Sequence, residues 1–322
     1  MILVAVVVAV RLLMLLSGKS LWSDEIFSLQ LSSQPFREVF IGSLRDVHPP
    51  LYFLVLHAFI KLFGTSEVVL RLPSFLFGLG TVFLIYKIAR RLFTRGVAYI
   101  AVVFAALSPY LLQQSNEVRG YAMFAFLSTL STYFLFKLEE KSSFRIPYVI
   151  AMLATILTEH YGWFVLLSHA IYMDKLERKR LLPYLGLLVP SICLIIYQSM
   201  TSEDTFKLYR IMEYLNWDYL PKKVVGVLWH FFAGYQVSMM TLGDILEFDR
   251  CILVTNGLVF VVGMIFFIRG LILSESRLRI LAYLMTFMPI AVLILYPVRL
   301  DARYLSFSFP IIAIITARGL HE

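Results

Sequence analysis

The feature that most constrains this chain is a series of long apolar runs, which recur from its first residues to its last. Runs of this length are suited to crossing about 30 Å of hydrocarbon. In lipid every backbone N–H and C=O must be bonded within the protein, so runs without strand-like alternation predict helices. The mean hydropathy of +0.80 and a charged fraction of 16%, against about a quarter in soluble domains, agree with this. The sequence therefore predicts an all-α, multi-pass integral membrane protein.

Hydropathy places about ten transmembrane helices along the chain. They cover residues 1–17, 68–88, 96–112, 119–137, 146–158, 161–173, 181–200, 251–268, 280–296 and 303–317. The first run lacks a preceding basic segment, which favours an uncleaved span over a signal peptide. Arg11 within it either snorkels to the interface or faces the protein interior. The pair 146–158 and 161–173 forms two short crossings, one kinked helix or a helical hairpin that only partly crosses the membrane.

Charge distribution favours two crossings for that pair. With ten crossings and a cytoplasmic N-terminus, the inner loops hold 15 of the 29 Lys and Arg residues but only 6 of the 21 acids. This satisfies the positive-inside rule, whereas a single kinked helix would place the basic loop 174–180 outside. The net charge of +8 is therefore a topology signal, and a nucleic-acid partner is excluded. We expect the plasma membrane of a prokaryote.

Two long segments, 18–67 and 201–250, lie on the predicted outer side. Tyr and Trp are frequent in the second segment, which predicts juxtamembrane helices on the outer leaflet. The sequence shows no internal repeat and no soluble domain, so residues 1–322 are interpreted as one transmembrane domain. Cys193 and Cys251 form neither a disulfide framework nor a metal-ligand pattern and are interpreted as packing residues.

Charged side chains gather at the predicted outer ends of the spans. They are Asp24, Glu25, Asp46, His48, Arg71, Glu117, Arg119, Glu159, His160, Arg299, Asp301 and Arg303. Each alone has an ordinary reading as a solvated charge, a snorkelling arginine or a helix cap. Together they supply carboxylates that can deprotonate an acceptor and arginines that can grip a phosphate. This combination predicts the transfer of a group from a phosphate.

The motifs occur in an order that resembles a known class of enzymes. WSDEIFSLQL, DVHPPLYF, LRLPSF, NEVRGYAMF, EHYG and VRLDARYL follow one another over residues 20 to about 170 and again at 297–320. In this order and spacing they resemble the dolichyl-phosphate-mannose protein mannosyltransferases and the lipid A aminoarabinose transferases. Both are type C membrane glycosyltransferases.

The resemblance implies a type C glycosyltransferase fold, a sugar donor on a polyprenyl phosphate and an active site facing outside. It implies that Asp24 is catalytic, with Glu25 and Glu117 as further acids. The residues that it implies for substrate binding are His48, Tyr52, Arg71, Arg119, Tyr121, His160, Arg299 and Arg303. His48 and Glu25 are candidate ligands for a divalent cation. Many family members carry a larger soluble C-terminal region and several more spans, so the resemblance leaves acceptor recognition open.

The predicted reaction is an inverting displacement in which Asp24 accepts the proton of a protein, lipid or glycan acceptor. The competing interpretation is a transporter or flippase of a polyprenyl-linked or anionic substrate, since charges in a membrane also mark transport paths. Transporters commonly have inverted repeats and polar residues at mid-bilayer, whereas these charges lie at the predicted outer ends of the spans. A third interpretation is a non-catalytic membrane scaffold. The sugar, the prenyl carrier and the acceptor stay open.

Overall fold

The computed structural model describes residues 2–16, 20–173, 188–201, 220–234, 250–295 and 302–322, with positions 179, 181, 184 and 186. Over these residues the chain is helical, and no β-strand occurs among them. The chain divides into two compact units, Met1–Leu84 with Gln114–Lys207 and Ile85–Gln113 with Leu208–Glu322. The interpretation of residues 1–322 as one transmembrane domain stays a prediction.

The helices lie close to the predicted spans, and three further helices lie in the first outer segment. In chain order they are α1 (Ile2–Leu15), α2 (Ser23–Ser32), α3 (Phe36–Arg45), α4 (Leu51–Phe63), α5 (Glu67–Leu92), α6 (Arg95–Leu107), α7 (Pro109–Gln114), α8 (Tyr121–Leu138), α9 (Arg145–Thr158), α10 (Gly162–Tyr172), α11 (Val189–Thr201), α12 (Leu220–Ala233), α13 (Arg250–Leu273), α14 (Ser276–Leu295) and α15 (Phe309–His321). Short 3₁₀ segments precede α9 at Ser142–Phe144 and α15 at Ala302–Ser308. Most of the second outer segment lies outside the described residues, and α12 is the helix described within it.

Among the described residues, three helices are long and apolar enough to cross a membrane by length and composition. They are Glu67–Leu92, Tyr121–Leu138 and Leu253–Leu273. At 1.5 Å per residue, α5 is about 39 Å long, enough to cross the hydrocarbon with some tilt. Several of the other predicted spans, including those at α6, α9 and α10, are shorter apolar helices. Only 22% of the apolar window of α13 is buried, against 72% for α8, so most of the apolar surface of α13 is not covered by other helices of the described protein.

Helices α9 and α10 form an antiparallel hairpin that turns at Glu159–Tyr161. Tyr148, near the start of α9, places its hydroxyl 3.3 Å from Nδ1 of His169, near the end of α10. Nε2 of His169 lies 3.1 Å from the hydroxyl of Thr132 on α8. Residues so placed can meet only if the chain reverses direction between the two helices, so the alternative of one kinked helix is wrong. His169 is buried and lies within hydrogen-bond distance of both hydroxyls.

The first outer segment folds onto the core of the first unit. Pro49 and Pro50 precede α4, as suits a proline at or before a first helical turn. Buried residues of α3, α4, α5 and α8 share one apolar cluster, which consists of Val39, Tyr52, Phe53, Leu56, Ile60, Leu70, Val118, Met123 and Leu127. His57 of α4 is buried, and its Nδ1 lies 2.8 Å from the carbonyl of Ser32. This packing brings the loop 46–50, the start of α2 and the loop 115–120 to one end of the unit.

Arg11 of α1 faces the protein interior rather than the interface. Its side chain is completely buried, and Nη1 donates to the hydroxyl of Ser115 at 2.9 Å. A buried guanidinium needs such partners because its charge is costly to desolvate. Of the two positions that the sequence allowed for Arg11, the structure selects the internal one.

In the second unit, α13 and α15 cross at two glycines. A Cβ on Gly270 would overlap the carbonyl of Ile315, and one on Gly319 would overlap the carbonyl of Phe266. Small residues let two helix backbones approach closely, which is a common way of packing helices in lipid. α15 is thereby buried against α13 and α6.

Candidate active site

The two adjacent acids of the first outer segment lie in the first turn of α2. A helix N-terminus favours negative side chains, because its free N–H groups and dipole carry positive charge there. Consecutive helical residues point about 100° apart, so the two carboxylates cannot share an environment. Asp24 is half-buried, whereas Glu25 is 1% exposed. The helix therefore presents Asp24 to the site and turns Glu25 into the protein.

Both carboxylate oxygens of Glu25 are engaged by the protein. Oε2 accepts the backbone N–H of Trp22 at 3.2 Å and lies 3.6 Å from Nη2 of Arg71. Oε1 accepts the backbone N–H of Val118 at 2.8 Å. Glu25 thus caps the start of α2 and holds the loop 115–120 against it, which is a positioning role.

Arg71, on the first turns of α5, shares this task. Its Nε donates to the carbonyl of Asn116 at 3.0 Å, and its Nη1 lies 3.4 Å from Oε2 of Glu67. The side chain is 3% exposed. The substrate-binding role predicted for Arg71 stays a prediction, and the contacts seen here join its guanidinium to Glu25, to Glu67 and to the loop that carries Arg119.

Arg119 occupies the centre of the cluster. Nη1 lies 3.3 Å from the hydroxyl of Ser28 and 3.5 Å from the backbone oxygen of Asp24. Nη2 lies 3.1 Å from Nε2 of His48. The backbone of Asp24 and the ring of His48, 24 residues apart in the sequence, therefore both contact one guanidinium.

Asp46 fixes the orientation of His48. One carboxylate oxygen, Oδ2, accepts from the His48 ring at 3.0 Å and from the His48 backbone N–H at 3.2 Å. Burial raises the pKa of Asp46, but the hydrogen bonds from His48 and the nearby positive charge of Arg119 outweigh it and hold this pKa below its ordinary value. Because Nδ1 donates to Asp46, Nε2 keeps a lone pair that can accept from Arg119. The His48 ring thus lies between an anion and a cation.

The turn between α9 and α10 contributes Glu159 and His160. Glu159 is 3% exposed, and burial raises its pKa, opposed by the positive charge of the nearby Arg119. Burial also lowers the pKa of His160. Nε2 of His160 lies 2.6 Å from Oε1 of Gln198 on α11. The amide of Gln198 donates to the carbonyls of Ser43 and His48 at 3.2 and 3.3 Å.

The other predicted residues divide into three groups. Glu117, Tyr52 and Tyr121 are buried next to the cluster, and the Arg119 guanidinium carbon lies 5.8 Å from the centre of the Tyr121 ring. Arg303 is buried in the 3₁₀ segment of the second unit. Arg299 and Asp301 lie outside the described residues.

The residues proposed for a divalent cation do not fit one. Glu25 has both oxygens bonded to N–H groups, and a guanidinium lies beside His48, where it would repel a cation. Within the described parts of the chain, no group of three or more His, Cys, Asp and Glu side chains could hold a metal ion. We therefore derive no step through a metal.

Sequence reasoning missed Gln198 and Ser28 and gave no separate role to Asp46. Gln198 stands in an otherwise apolar helix, VPSICLIIYQSMT. A lone amide in an apolar helix is costly unless it is bonded, and this signal could have identified it. Ser28 lies one helical turn after Asp24, which puts both on one face of α2.

The comparisons with known proteins agree with this architecture. The fold matches the crystal structure of ArnT from Cupriavidus metallidurans in the apo state, with a TM-score of 0.61 at 17% identity over 99% of this chain and 59% of that chain. It also matches ArnT from the same organism bound to undecaprenyl phosphate, with a TM-score of 0.63 at 17% identity over 99% and 60%. The chain thus has the fold of the type C membrane glycosyltransferases, as its motifs predicted.

Sequence comparison gives a match to a family model over part of the chain. Residues 47–199 match the dolichyl-phosphate-mannose-protein mannosyltransferase family, and the predicted resemblance to that family is confirmed. An uncharacterized protein of Aquifex aeolicus (strain VF5) is 26% identical over 165 residues, which are 50% of this chain and 33% of that protein. The chain spans a third of this relative and about three fifths of each ArnT structure.

Proposed function

We propose that this protein is an inverting glycosyltransferase that moves a sugar from a polyprenyl-phosphate donor to an acceptor outside the cytoplasm. The observation that carries the proposal is the convergence of the start of α2, which bears the half-exposed Asp24, with Arg119 and the Asp46–His48 pair at one end of the first unit. Arg119 contacts the backbone oxygen of Asp24 and the ring of His48. Two supporting facts are the family match over residues 47–199 and the likeness to an ArnT structure bound to undecaprenyl phosphate.

In the proposed reaction a hydroxyl or amine of the acceptor attacks the anomeric carbon of the sugar. The bond from that carbon to the phosphate oxygen breaks, and the polyprenyl phosphate leaves with the bonding electrons. The carboxylate of Asp24 takes the proton of the attacking group. A single displacement of this kind inverts the configuration at the anomeric carbon.

Arg119 supplies a fixed positive charge for the leaving phosphate. Its pKa is raised, because Tyr121 and the nearby Glu159 and Asp24 together outweigh the burial that would lower it. A preorganised cation stabilises the charge that develops on the phosphate in the transition state. Arg303 and Arg299 are proposed to add phosphate contacts, and Tyr52, Tyr121 and Glu117 to line the donor site. The prenyl chain would be bound through apolar burial, at about 0.8 kcal/mol per methylene.

The test uses the full chain in nanodiscs with a panel of undecaprenyl-phosphate hexoses and pentoses and, separately, UDP- and GDP-sugars. We expect transfer from at least one lipid-linked donor, none from nucleotide sugars and an inverted anomer in the product. Asp24→Asn should lower single-turnover transfer by about 100-fold or more while retaining donor binding. Glu38→Gln removes an exposed acid from the first turn of α3 and should transfer normally.

Two results would overturn the proposal. Transfer by Asp24→Asn at the wild-type rate would make Asp24 a surface acid. Lipid-linked sugar that crosses vesicles without any bond cleavage would favour the transporter interpretation instead.

A further inference from the structure

Gln198 is a buried amide that links three separate parts of the candidate site. It lies on α11, near the point where that helix ends, and is 4% exposed. Its three partners are the carbonyls of Ser43 and His48 and Nε2 of His160. Ser43 lies in α3, His48 in the loop before α4 and His160 in the turn of the α9–α10 hairpin. One side chain therefore connects three segments that are up to 155 residues from it in sequence.

The chemistry of these partners fixes the orientation of the amide. Carbonyl oxygens only accept hydrogen bonds, so the amide nitrogen must face Ser43 and His48. Its oxygen then faces His160 and can only accept, which requires a proton on Nε2 of His160. His160 is neutral in its buried position, because burial lowers its pKa. The remaining ring nitrogen, Nδ1, consequently carries a lone pair.

The two histidines of the site are thus held in opposite tautomers. His48 carries its proton on Nδ1, which donates to Asp46, and accepts at Nε2 from Arg119. His160 carries its proton on Nε2. Its Nδ1 is buried and has no hydrogen-bond partner among the described residues. A buried acceptor nitrogen without a partner is costly, and an O–H or N–H donor would remove that cost.

We propose that Gln198 is a positioning residue for the transfer reaction. It holds His160 as the Nε2–H tautomer, so that Nδ1 can accept from a substrate hydroxyl or amine. Its hydrogen bond to the His48 carbonyl also holds the His48 loop next to His160. This inference rests on the proposed glycosyl transfer. It assigns a tautomer to each histidine, and those tautomers can be measured without any substrate.

The first measurement is the tautomeric state of the wild-type protein. Nitrogen NMR of the full chain with ¹⁵N-labelled histidine distinguishes protonated from unprotonated ring nitrogens, and His160→Gln and His48→Gln assign the two signals. We expect Nε2–H for His160 and Nδ1–H for His48. The Nδ1–H tautomer at His160 would overturn the proposal.

Two variants at Gln198 separate its roles. Gln198→Leu removes all three hydrogen bonds, so His160 should populate both tautomers and kcat should fall about tenfold, the scale set by one to two orienting hydrogen bonds. The donor KM should change less than about twofold, because the change affects orientation rather than donor affinity. Gln198→Glu keeps an oxygen that accepts from His160 but has no amide donors. It should keep Nε2 of His160 protonated, as in the wild type, while the hydrogen bonds to the carbonyls of Ser43 and His48 are lost.

Gln34→Leu is the matched control, because Gln34 is exposed and donates to the carbonyl of Gln30 outside the site. It should match the wild type in both measurements. Unchanged kcat and unchanged His160 tautomer in Gln198→Leu would overturn the positioning role. If the tautomers are as stated but no lipid-linked sugar is transferred, the proposed function fails while the hydrogen-bond assignment stands.

Discussion

At the scale of the residue, the adjacent acids Asp24 and Glu25 perform different tasks. Asp24 is half-exposed at the site. Glu25, the next residue of α2, is buried and contacts two backbone N–H groups and Arg71. Their separate surroundings mean that substitutions at these two positions should have different consequences. Asp24 belongs to the proposed chemistry, and Glu25 to the structure that supports it.

Glu25→Gln should therefore destabilise the fold. It removes the buried one of the two carboxylates that pair with Arg71, and removing one partner of a buried ion pair costs about 3 kcal/mol. Asp24→Asn should change the free energy of unfolding by less than about 1 kcal/mol, the size of a helix-dipole contact. Chemical unfolding of both variants in mixed micelles would measure this. Equal stability of Glu25→Gln and the wild type would contradict the positioning role of Glu25.

Glu159 should make the stability of the protein depend on pH. Burial raises its folded-state pKa, so the folded state binds more protons than the unfolded state between about pH 4.3, the ordinary Glu value, and the raised value. The stability that Glu159 contributes is complete below this window and is lost as pH rises through it. Glu159→Gln removes this titration. The free energy of unfolding of the variant should therefore rise relative to that of the wild type as pH increases.

The contribution of Asp46 to stability should depend on pH in the opposite direction. Its pKa is lowered, since the His48 hydrogen bonds and nearby charge outweigh its burial, so its contribution is present above the ordinary Asp value and is lost as pH falls. Asp46→Asn should flatten the acid limb of the stability profile, whereas Glu159→Gln should flatten the limb at higher pH. Parallel profiles for Glu159→Gln and the wild type would contradict the buried carboxyl.

At the scale of the element, the α9–α10 hairpin holds Glu159 and His160 at its turn. The turn is tight because Gly162 lies against the backbone of Ile156, where a Cβ would come within 2.9 Å of the Ile156 Cα. This distance is shorter than van der Waals contact, so a side chain at position 162 would force either the helix ends or the turn to shift. The positions of Glu159 and His160 thus depend on the absence of a side chain at Gly162.

Gly162→Ala should cost about 1–3 kcal/mol of stability, the usual range for overpacking, and should disturb His160. Gly257→Ala in α13 is the matched control, because its Cβ would meet the Trp229 ring at an ordinary 3.7 Å. Alanine there should be neutral or stabilising by up to about 1 kcal/mol. Thermal unfolding of the two variants would compare them, and a fully stable Gly162→Ala would show that the turn can relax.

At the scale of the whole molecule, the charge distribution predicts which side of the membrane the site faces. We expect the α2–α3 connection outside and the α8–α9 connection inside, because the latter belongs to the basic inner loops. Gln34 and Lys141 are exposed positions in these two connections. After Cys193 and Cys251 are replaced by Ala, an impermeant thiol reagent on intact cells should label Gln34→Cys and spare Lys141→Cys. The opposite pattern would invert the topology.

The sequence by itself determined the class of the protein and the approximate positions of its helices. Apolar run length and the need to satisfy backbone groups in lipid are local properties, so they can be read without knowing the tertiary contacts. The predicted break at 159–162 was likewise visible, although the choice between a hairpin and a kinked helix rested on loop charge. The order of the motifs carried the family resemblance.

Only the tertiary structure decided which of these residues act together. It placed Glu25 and Arg71 in support of a loop, Arg119 between Asp24 and His48, and Gln198 beside His160. Many of these contacts join residues 93 to 155 positions apart, and the side of a helix that a residue faces changes by about 100° with each step. Hydrogen bonds depend on tenths of an ångström and on direction. Spacing along a chain does not determine such distances, because they follow from how the helices pack.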